Sequence, residues 1–307
     1  MLLCPRPRLH PPTLLLALIL RFSVGPLAAA PPTTAISPAA KETRSAATVN
    51  SATVPLGRKG AWWNLRHSSI NSWAKRGPVD LLFLGDSITE GWGTISPPKI
   101  KSDPNAGESA DLYETFEGNA AWKKFYASRK PLNAGIGGDQ TQNVLWRIDN
   151  GLIDSLPDEH PPKLIVLMIG TNNTGPKGNS GEEIGAGIVA VVEKLRQKLP
   201  QTKILVLGVF PRANDDPAVS KSLPEDKRAK RGKLGERYAK LVIANAIAAK
   251  AADGKMVHYL DIGKKFLDQD GQLPSNIMPD YLHLSPKGYE IWAESIEETV
   301  ADLLGEK

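Results

Sequence analysis

LLFLGDSITEGW, residues 81–92, opens with four apolar residues that lead directly into Gly85, Asp86 and Ser87, and a polar segment with helical character follows. Strands that carry apolar side chains on both faces belong to parallel sheets covered by helices. We therefore interpret 79–84 as a buried strand. Its end would deliver the Ser87 hydroxyl to the carboxyl edge of a sheet, at the start of a helix.

Four other apolar runs have the same character, and segments with helical periodicity separate them. The runs are PLNAG (131–135), KLIVLMIG (163–170), KILVLGV (203–209) and MVHYLDI (256–262). Two helical stripes are predicted, one of Ile184, Ile188, Val191, Val192, Leu195 and Leu199, the other of Tyr289, Trp292, Ile296, Val300 and Leu303. Ser285 and Pro286 are a suitable cap and first residue for the second helix. The alternation predicts a single α/β domain.

The amino-terminal region differs in composition from the rest of the chain. Residues 1–30 place two arginines before the apolar run TLLLALIL (13–20) and end in small residues, as secretory signals do. An uncleaved anchor is the alternative, but a run of eight residues falls short of the roughly 20 that span a bilayer. Residues 31–57, rich in Ala, Pro, Ser and Thr, are predicted to be a disordered linker. We expect 58–307 to be the folded domain of a secreted or periplasmic protein without stable membrane insertion after signal cleavage.

Charge and cysteine content narrow the classes of partner and cofactor. Residues 1–30 contain three arginines and no acid, so their removal lowers the formal net charge from +5 to +2. The basic run KRAKRGK (227–233) is flanked by acids and indicates a solvated helix face, so no nucleic-acid partner is expected. Cys4 is the only cysteine and lies in the predicted signal. With five histidines in the chain, no metal site is predicted either.

Polar motifs stand at the predicted strand ends and before the last helix. Ser87 follows the first strand, NAGIGGDQT (133–141) the second and IGTNNTG (169–175) the third, whereas PDYLHLSPKGY (279–289) precedes the helix. Each motif also has an ordinary structural interpretation. In the order given, these are a helix cap, a glycine-rich turn, loop asparagines and a structural histidine, and Asp139 would cap the helix that follows the turn. Together they supply a hydroxyl, a base, an acid to orient the base, and oxyanion donors. That combination indicates acyl transfer.

The four motifs resemble, in order, the four blocks of the SGNH (GDSL-type) hydrolase superfamily. NAGIGGDQTQNVLWRIDNG (133–151) and IVLMIGTNNTG (165–175) are similar to the branch that contains the catalytic subunits of platelet-activating-factor acetylhydrolase IB. The resemblance implies a three-layer αβα, flavodoxin-like fold with a central five-stranded parallel sheet. We therefore predict a cofactor-independent carboxylic-ester hydrolase.

Carried over by position, the resemblance assigns a role to each motif residue. Ser87 would be the nucleophile, His283 the general base and Asp280 the acid that orients it. The oxyanion hole would comprise the backbone N–H groups of Ser87 and Gly138 and the side chain of Asn172. Asp86 is interpreted as a structural hydrogen-bonding residue, because a second acid would raise the pKa of the serine.

The substrate is predicted less directly than the chemistry. An acetyl group on a glycan is the leading interpretation, because the chain is expected to be exported and shows no long apolar lid. Trp92 and the polar stretch 93–118 are expected to form pocket walls, and a second polar stretch, 212–235, is expected on the surface. The tryptophan-rich amino-terminal half, with Trp62, Trp63, Trp73, Trp92 and Trp122, could stack on sugars, although core packing is the commoner role. Short-chain lipid or phospholipid ester hydrolysis, a non-catalytic carbohydrate-binding module and a metal-dependent phosphodiesterase are the alternatives. The oligomeric state is not predicted.

Overall fold

The structure, a computed structural model, describes residues 49–93, 117–214 and 231–306. The predicted signal peptide, the first part of the predicted linker and most of the two polar stretches lie outside these ranges. Within them, none of the helices combines the length and the apolar character of a membrane span.

Five parallel strands form the central sheet, in agreement with the sequence prediction. They are β1 (Leu81–Gly85), β2 (Pro131–Gly135), β3 (Leu164–Met168), β4 (Lys203–Leu207) and β6 (Val257–Leu260). Their order is β2-β1-β3-β4-β6, with all neighbours parallel. This is the flavodoxin-like order, in which the chain switches direction beside β1 and β3 and leaves a crevice at their carboxyl ends. Two short strands, β5 (Arg231–Gly232) and β7 (Leu273–Pro274), pair antiparallel.

Helices cover both faces of the sheet. The α-helices are α1 (Ala61–Ala74), α2 (Ser87–Glu90), α3 (Asn119–Phe125), α4 (Thr141–Arg147), α5 (Gly181–Lys198), α6 (Glu236–Ala248) and α7 (Pro286–Leu304). Short 3-10 helices lie at Ser51–Thr53, Ala127–Arg129, Thr171–Thr174, Ala249–Ala251 and Gly263–Phe266, and a π-helical turn at Ile148–Leu152. Both predicted stripes are confirmed on α5 and α7, except that Leu199 is the partly buried residue after the end of α5. Ser285 accepts a hydrogen bond from Gly288 N as the cap of α7.

The core has two parts, one on each face of the sheet. Along β1, Leu82 and Leu84 belong to the cluster under α1, α4, α5 and α6, whereas Leu81 and Phe83 belong to the cluster under α3 and α7. All five residues of β1 are buried, as a central strand with apolar side chains on both faces requires. The three-layer αβα prediction is confirmed.

Trp92 lies in the core and not at a pocket wall. Its side chain is fully buried, and its ring contacts those of Phe83, Tyr126, Tyr289 and Trp292. The prediction that Trp92 walls the substrate pocket is therefore wrong. Trp63 and Trp122 are also buried, and Trp62 and Trp73 are partly buried and packed against the first cluster.

The ordered domain begins before residue 58. Ala52 is fully buried, and its carbonyl accepts a hydrogen bond from Thr141 Oγ1 at 2.7 Å. Leu56 N donates to Gln142 O at 2.9 Å, and Asn143 Nδ2 donates to Leu56 O at 2.8 Å. Residues 49–57 thus pack on the domain, whereas their composition had placed them in the linker. Small and polar residues can be ordered when an existing surface satisfies their backbone groups.

Candidate active site

Ser87, His283 and Asp280 form one hydrogen-bonded chain across the sheet edge. Ser87 Oγ lies 2.9 Å from His283 Nε2, and His283 Nδ1 lies 2.8 Å from Asp280 Oδ2. A carboxylate only accepts, so the proton resides on Nδ1 and the lone pair of Nε2 faces the serine hydroxyl. Asp280 is almost completely buried, whereas the imidazole is 35% exposed and accessible from the crevice. This is the geometry that a serine nucleophile and its base require.

The loop before α7 holds Asp280 and His283 in place. Asp280 Oδ1 accepts hydrogen bonds from His283 N at 2.7 Å and Leu282 N at 3.1 Å, so the carboxylate orients both the ring and its backbone. Between them, Tyr281 adopts φ = 60°, a left-handed conformation that costs a non-glycine residue about 1–2 kcal/mol. Tyr289 Oη donates to Ile88 O at 2.7 Å and ties α7 to the turn that carries Ser87.

The carboxyl end of β1 is crowded, and this restricts which residues can precede Ser87. A Cβ on Gly85 would collide with the Thr89 hydroxyl and with Met168 O, so only glycine fits. Asp86 caps α2 by accepting a hydrogen bond from Ile88 N at 3.0 Å, which confirms its predicted structural role. Burial raises the pKa of Asp86 to about 7, against the opposing effects of the Ile88 hydrogen bond and of His283. Asp86 therefore changes charge near neutral pH.

Gly138 and Asn172 follow the strands on either side of β1. Gly85 pairs with Gly135 on β2 and with Met168 on β3, so the loops that carry Gly138 and Asn172 leave the same sheet edge as Ser87. Asn172 Nδ2 donates to Asp139 O at 2.9 Å, which couples the two loops. An amide nitrogen carries two N–H groups, so Asn172 has a second one for a ligand. Asn173 is structural, because its side chain bonds Thr141 N at 3.1 Å.

Asp139 is not the cap of α4 that the sequence suggested. Gln140 is the N-cap residue, and the fully buried Asp139 carboxylate accepts from Arg147 Nη1 at 2.9 Å and from Trp63 Nε1 at 2.7 Å. Arg147 is also fully buried, so each charge compensates the other in the interior. The Asp139 carboxylate therefore makes an ion pair with Arg147 and does not cap α4.

Glu90 and Arg58 are site residues that the sequence did not reveal. Glu90 Oε2 accepts from Gly137 N at 2.7 Å, and Oε1 lies 3.3 Å from Arg66 Nε. Burial raises the pKa of Glu90, and Arg66 opposes that rise. Arg58 Nη1 donates to Gly137 O at 2.6 Å. The only local signal was the position of Glu90, three residues after Ser87 on α2.

Metal ligands were not predicted for this site. Among the described residues, no group of three or more His, Cys, Asp or Glu side chains is placed to hold a metal ion.

The sequence matches the GDSL-like Lipase/Acylhydrolase family over residues 83–291, from β1 into α7, a range that includes Ser87, Asp280 and His283. The chain belongs to this family. This acylhydrolase is accordingly a carboxylic ester hydrolase and an SGNH enzyme, as the motifs predicted. The alternative of a non-catalytic binding module is not supported.

Individual relatives agree with the family assignment. The acylhydrolase is 30% identical to rat platelet-activating factor acetylhydrolase IB subunit alpha2 over 244 residues, which cover 80% of this chain and 86% of the relative. It is 29% identical to the bovine alpha1 subunit over 245 residues, covering 80% and 84%. A GDSL-like lipase structure from Bacteroides thetaiotaomicron superposes with a TM-score of 0.53 at 18% identity, covering 77% of this chain and 96% of that one. That superposition supports the fold.

Proposed function

We propose that this acylhydrolase cleaves short-chain esters through an acyl-enzyme on Ser87. The observation that carries the proposal is the hydrogen-bonded chain from Ser87 Oγ through His283 to Asp280, with distances of 2.9 and 2.8 Å. Ser87 lies near the start of the region that matches the family, residues 83–291, and Asp280 and His283 lie near its end, which supports the proposal.

In the proposed mechanism, His283 Nε2 takes the Ser87 proton as Oγ attacks the ester carbonyl carbon. The carbonyl oxygen becomes an oxyanion and accepts hydrogen bonds from Ser87 N–H, Gly138 N–H and Asn172 Nδ2–H. His283 then donates the proton to the departing alcohol, which leaves the acyl group on Oγ. Water repeats the sequence, with His283 as its base, and releases the carboxylic acid.

The oxyanion role of Asn172 has a direct test. Loss of one such donor costs roughly 10²–10³ in turnover, so Asn172→Ala should lower kcat by that factor with a small effect on KM. Asn173→Ala is a useful comparison, because Asn173 bonds Thr141 and its loss should act through stability. An Asn172→Ala enzyme with wild-type kcat would remove this residue from the hole.

For the acyl group we propose acetyl. Two relatives at 29–30% identity are named acetylhydrolases, which supports a small acyl group here. In a series of p-nitrophenyl esters from acetyl to octanoyl, kcat/KM should be highest for acetyl and should fall as the chain lengthens. Ser87→Ala is the control for every ester. Preference for octanoyl would contradict the acetyl proposal.

The alcohol is proposed as one of two classes, and the same enzyme preparation can separate them. The glycan proposal rests on the predicted export, while its tryptophan argument is weakened by the burial of Trp63, Trp92 and Trp122. The names of the relatives favour an acetylated phospholipid instead. Acetate release should be compared between an acetylated polysaccharide and a 2-acetyl ether phosphocholine, and the larger kcat/KM identifies the class.

We also propose that the enzyme is exported, on the basis of the signal-like composition of residues 1–30. Fusion of residues 1–57 to a reporter enzyme should carry the reporter out of the cytoplasm of a bacterial host. Retention of the reporter inside the cell would contradict export.

A further inference from the structure

The loop that carries Gly138 is a β-turn whose central peptide can take two orientations. Asp139 N donates to Ile136 O at 3.1 Å, so Gly137 and Gly138 are the central residues. Gly138 has φ = 75°, the value that a type II turn requires at its third position. Types I and II keep the same closing hydrogen bond but differ in the orientation of the peptide between the central residues.

That peptide contains the Gly138 N–H group, the proposed oxyanion donor. In a planar trans peptide the C=O and the following N–H point in opposite directions, so the direction of Gly137 O fixes that of Gly138 N–H. Glycine tolerates positive and negative φ about equally, and glycine at both central positions leaves either turn type accessible. The turn itself therefore does not determine where the donor points.

Two side chains from outside the turn hold Gly137 from both sides. Arg58 Nη1 donates to Gly137 O at 2.6 Å, and Glu90 Oε2 accepts from Gly137 N at 2.7 Å. Only the Arg58 bond involves the peptide whose orientation is at issue. Arg58 is itself held by Asp139, with Nη1 3.3 Å from Oδ1, and its side chain is 34% exposed. Its guanidinium lies over Gly138, where a Cβ would be 3.1 Å from Nη1 and Nη2.

We propose that Arg58 is a positioning residue that holds the Gly137–Gly138 peptide in the type II orientation and so keeps Gly138 N–H directed at the oxyanion. The inference rests on the proposed function. Arg58 precedes the part of the chain that matches the family, residues 83–291, and reaches the site from the segment before α1. This chain therefore completes its site with a residue from outside the matched region.

The test compares four variants with wild type, using p-nitrophenyl acetate turnover and the second-order rate of labelling by a fluorophosphonate. Arg58→Ala and Arg58→Met remove the donor, and Met retains much of the apolar stem. Arg58→Lys keeps one charged donor, and Lys59→Ala is the matched control, because Lys59 is the exposed neighbour. A hydrogen bond from a charged donor biases a two-state equilibrium by roughly tenfold or more. We expect kcat to fall about tenfold in the Ala and Met variants, within the ceiling of roughly 10²–10³ for complete loss of a donor.

The pattern of effects separates positioning from packing or substrate binding. An oxyanion donor acts in the transition state, so KM should change by less than about twofold, and labelling should slow in parallel with kcat. Arg58→Lys should recover part of both rates, and Lys59→Ala should keep both rates near the wild-type values. The melting temperature of Arg58→Met should also stay near that of wild type. Wild-type kcat in Arg58→Met, or a raised KM with unchanged labelling, would overturn the inference.

Ser87→Ala distinguishes failure of the inference from failure of the proposed function. If Ser87→Ala is inactive while Arg58→Met is fully active, Arg58 has no positioning role but the nucleophile stands. If Ser87→Ala still hydrolyses the ester, the acyl-enzyme on Ser87 is wrong and the inference falls with it.

Discussion

Replacement of Asp280 by asparagine should inactivate the enzyme without unfolding it. The two carboxylate oxygens have different partners, because Oδ1 accepts from two backbone N–H groups at 2.7 and 3.1 Å, whereas Oδ2 accepts from His283 Nδ1 at 2.8 Å. An asparagine oxygen can replace Oδ1, and the two backbone bonds then fix the amide orientation. Its NH₂ group must then face Nδ1.

The consequence is a change of imidazole tautomer. Nδ1 would accept from the amide, so the ring proton would move to Nε2, which could no longer accept the Ser87 proton. The same exchange of acid for amide costs roughly 10⁴ in kcat in a serine-protease triad, and we expect a loss of that order here. Reversal of the amide would restore the tautomer, but it would break two backbone hydrogen bonds worth about 0.5–1.5 kcal/mol each.

The assay is steady-state hydrolysis of p-nitrophenyl acetate, with thermal unfolding measured on the same samples. Asp280→Asn should melt near the wild-type temperature, because its backbone contacts remain. Asp280→Ala is the matched control, since it loses those contacts as well and should be destabilised by about 1–3 kcal/mol. An Asp280→Asn enzyme with more than about a tenth of wild-type turnover would refute the reasoning.

Three further predictions concern stability. The pKa of Asp86 is raised to about 7 in the folded state from a value near 3.8 in the unfolded state. Between these two pH values the folded state holds a proton on Asp86 that the unfolded state has released, so the folded state loses stability as the pH rises from about 4 to 7. Over that pH range, the free energy of unfolding measured by urea titration should fall by up to about 4 kcal/mol in wild type relative to Asp86→Asn. Equal pH profiles in the two proteins would contradict the raised pKa of Asp86. Trp92→Ala should lower the free energy of unfolding by about 3–5 kcal/mol while KM for p-nitrophenyl acetate stays within about twofold, whereas a tenfold rise in KM would place Trp92 at the pocket. A chain that starts at residue 58 should lose at least about 2 kcal/mol of stability through the missing hydrogen bonds of 49–57, and an unchanged melting temperature would restore the linker interpretation.

The fold was predictable because its main signals are local. Each strand of the central sheet is a continuous apolar run, and the observed ends differ from the predicted ones by three residues or fewer. The stripes on α5 and α7 follow from helical periodicity and caps that act within one turn. Asp280 and His283, three residues apart, could also be paired from their spacing.

The errors and omissions concern contacts between distant segments. Arg58 and Gly137 are separated by 79 positions and Glu90 and Gly137 by 47, so no local pattern pairs them. Asp139 has good capping propensity, but a buried ion pair with Arg147 competes successfully for its carboxylate. Trp92 follows the nucleophile helix closely, yet the direction of its side chain depends on how α3 and α7 pack beneath the sheet.

Active-site labelling tests the central claim most directly. The wild-type enzyme should be treated with a fluorophosphonate, and the adduct located by peptide mass mapping. One adduct on Ser87 is predicted, with no labelling of Ser87→Ala and slow labelling of His283→Ala, because Nε2 activates the hydroxyl. Labelling at another residue, or wild-type ester hydrolysis by Ser87→Ala, would contradict the account.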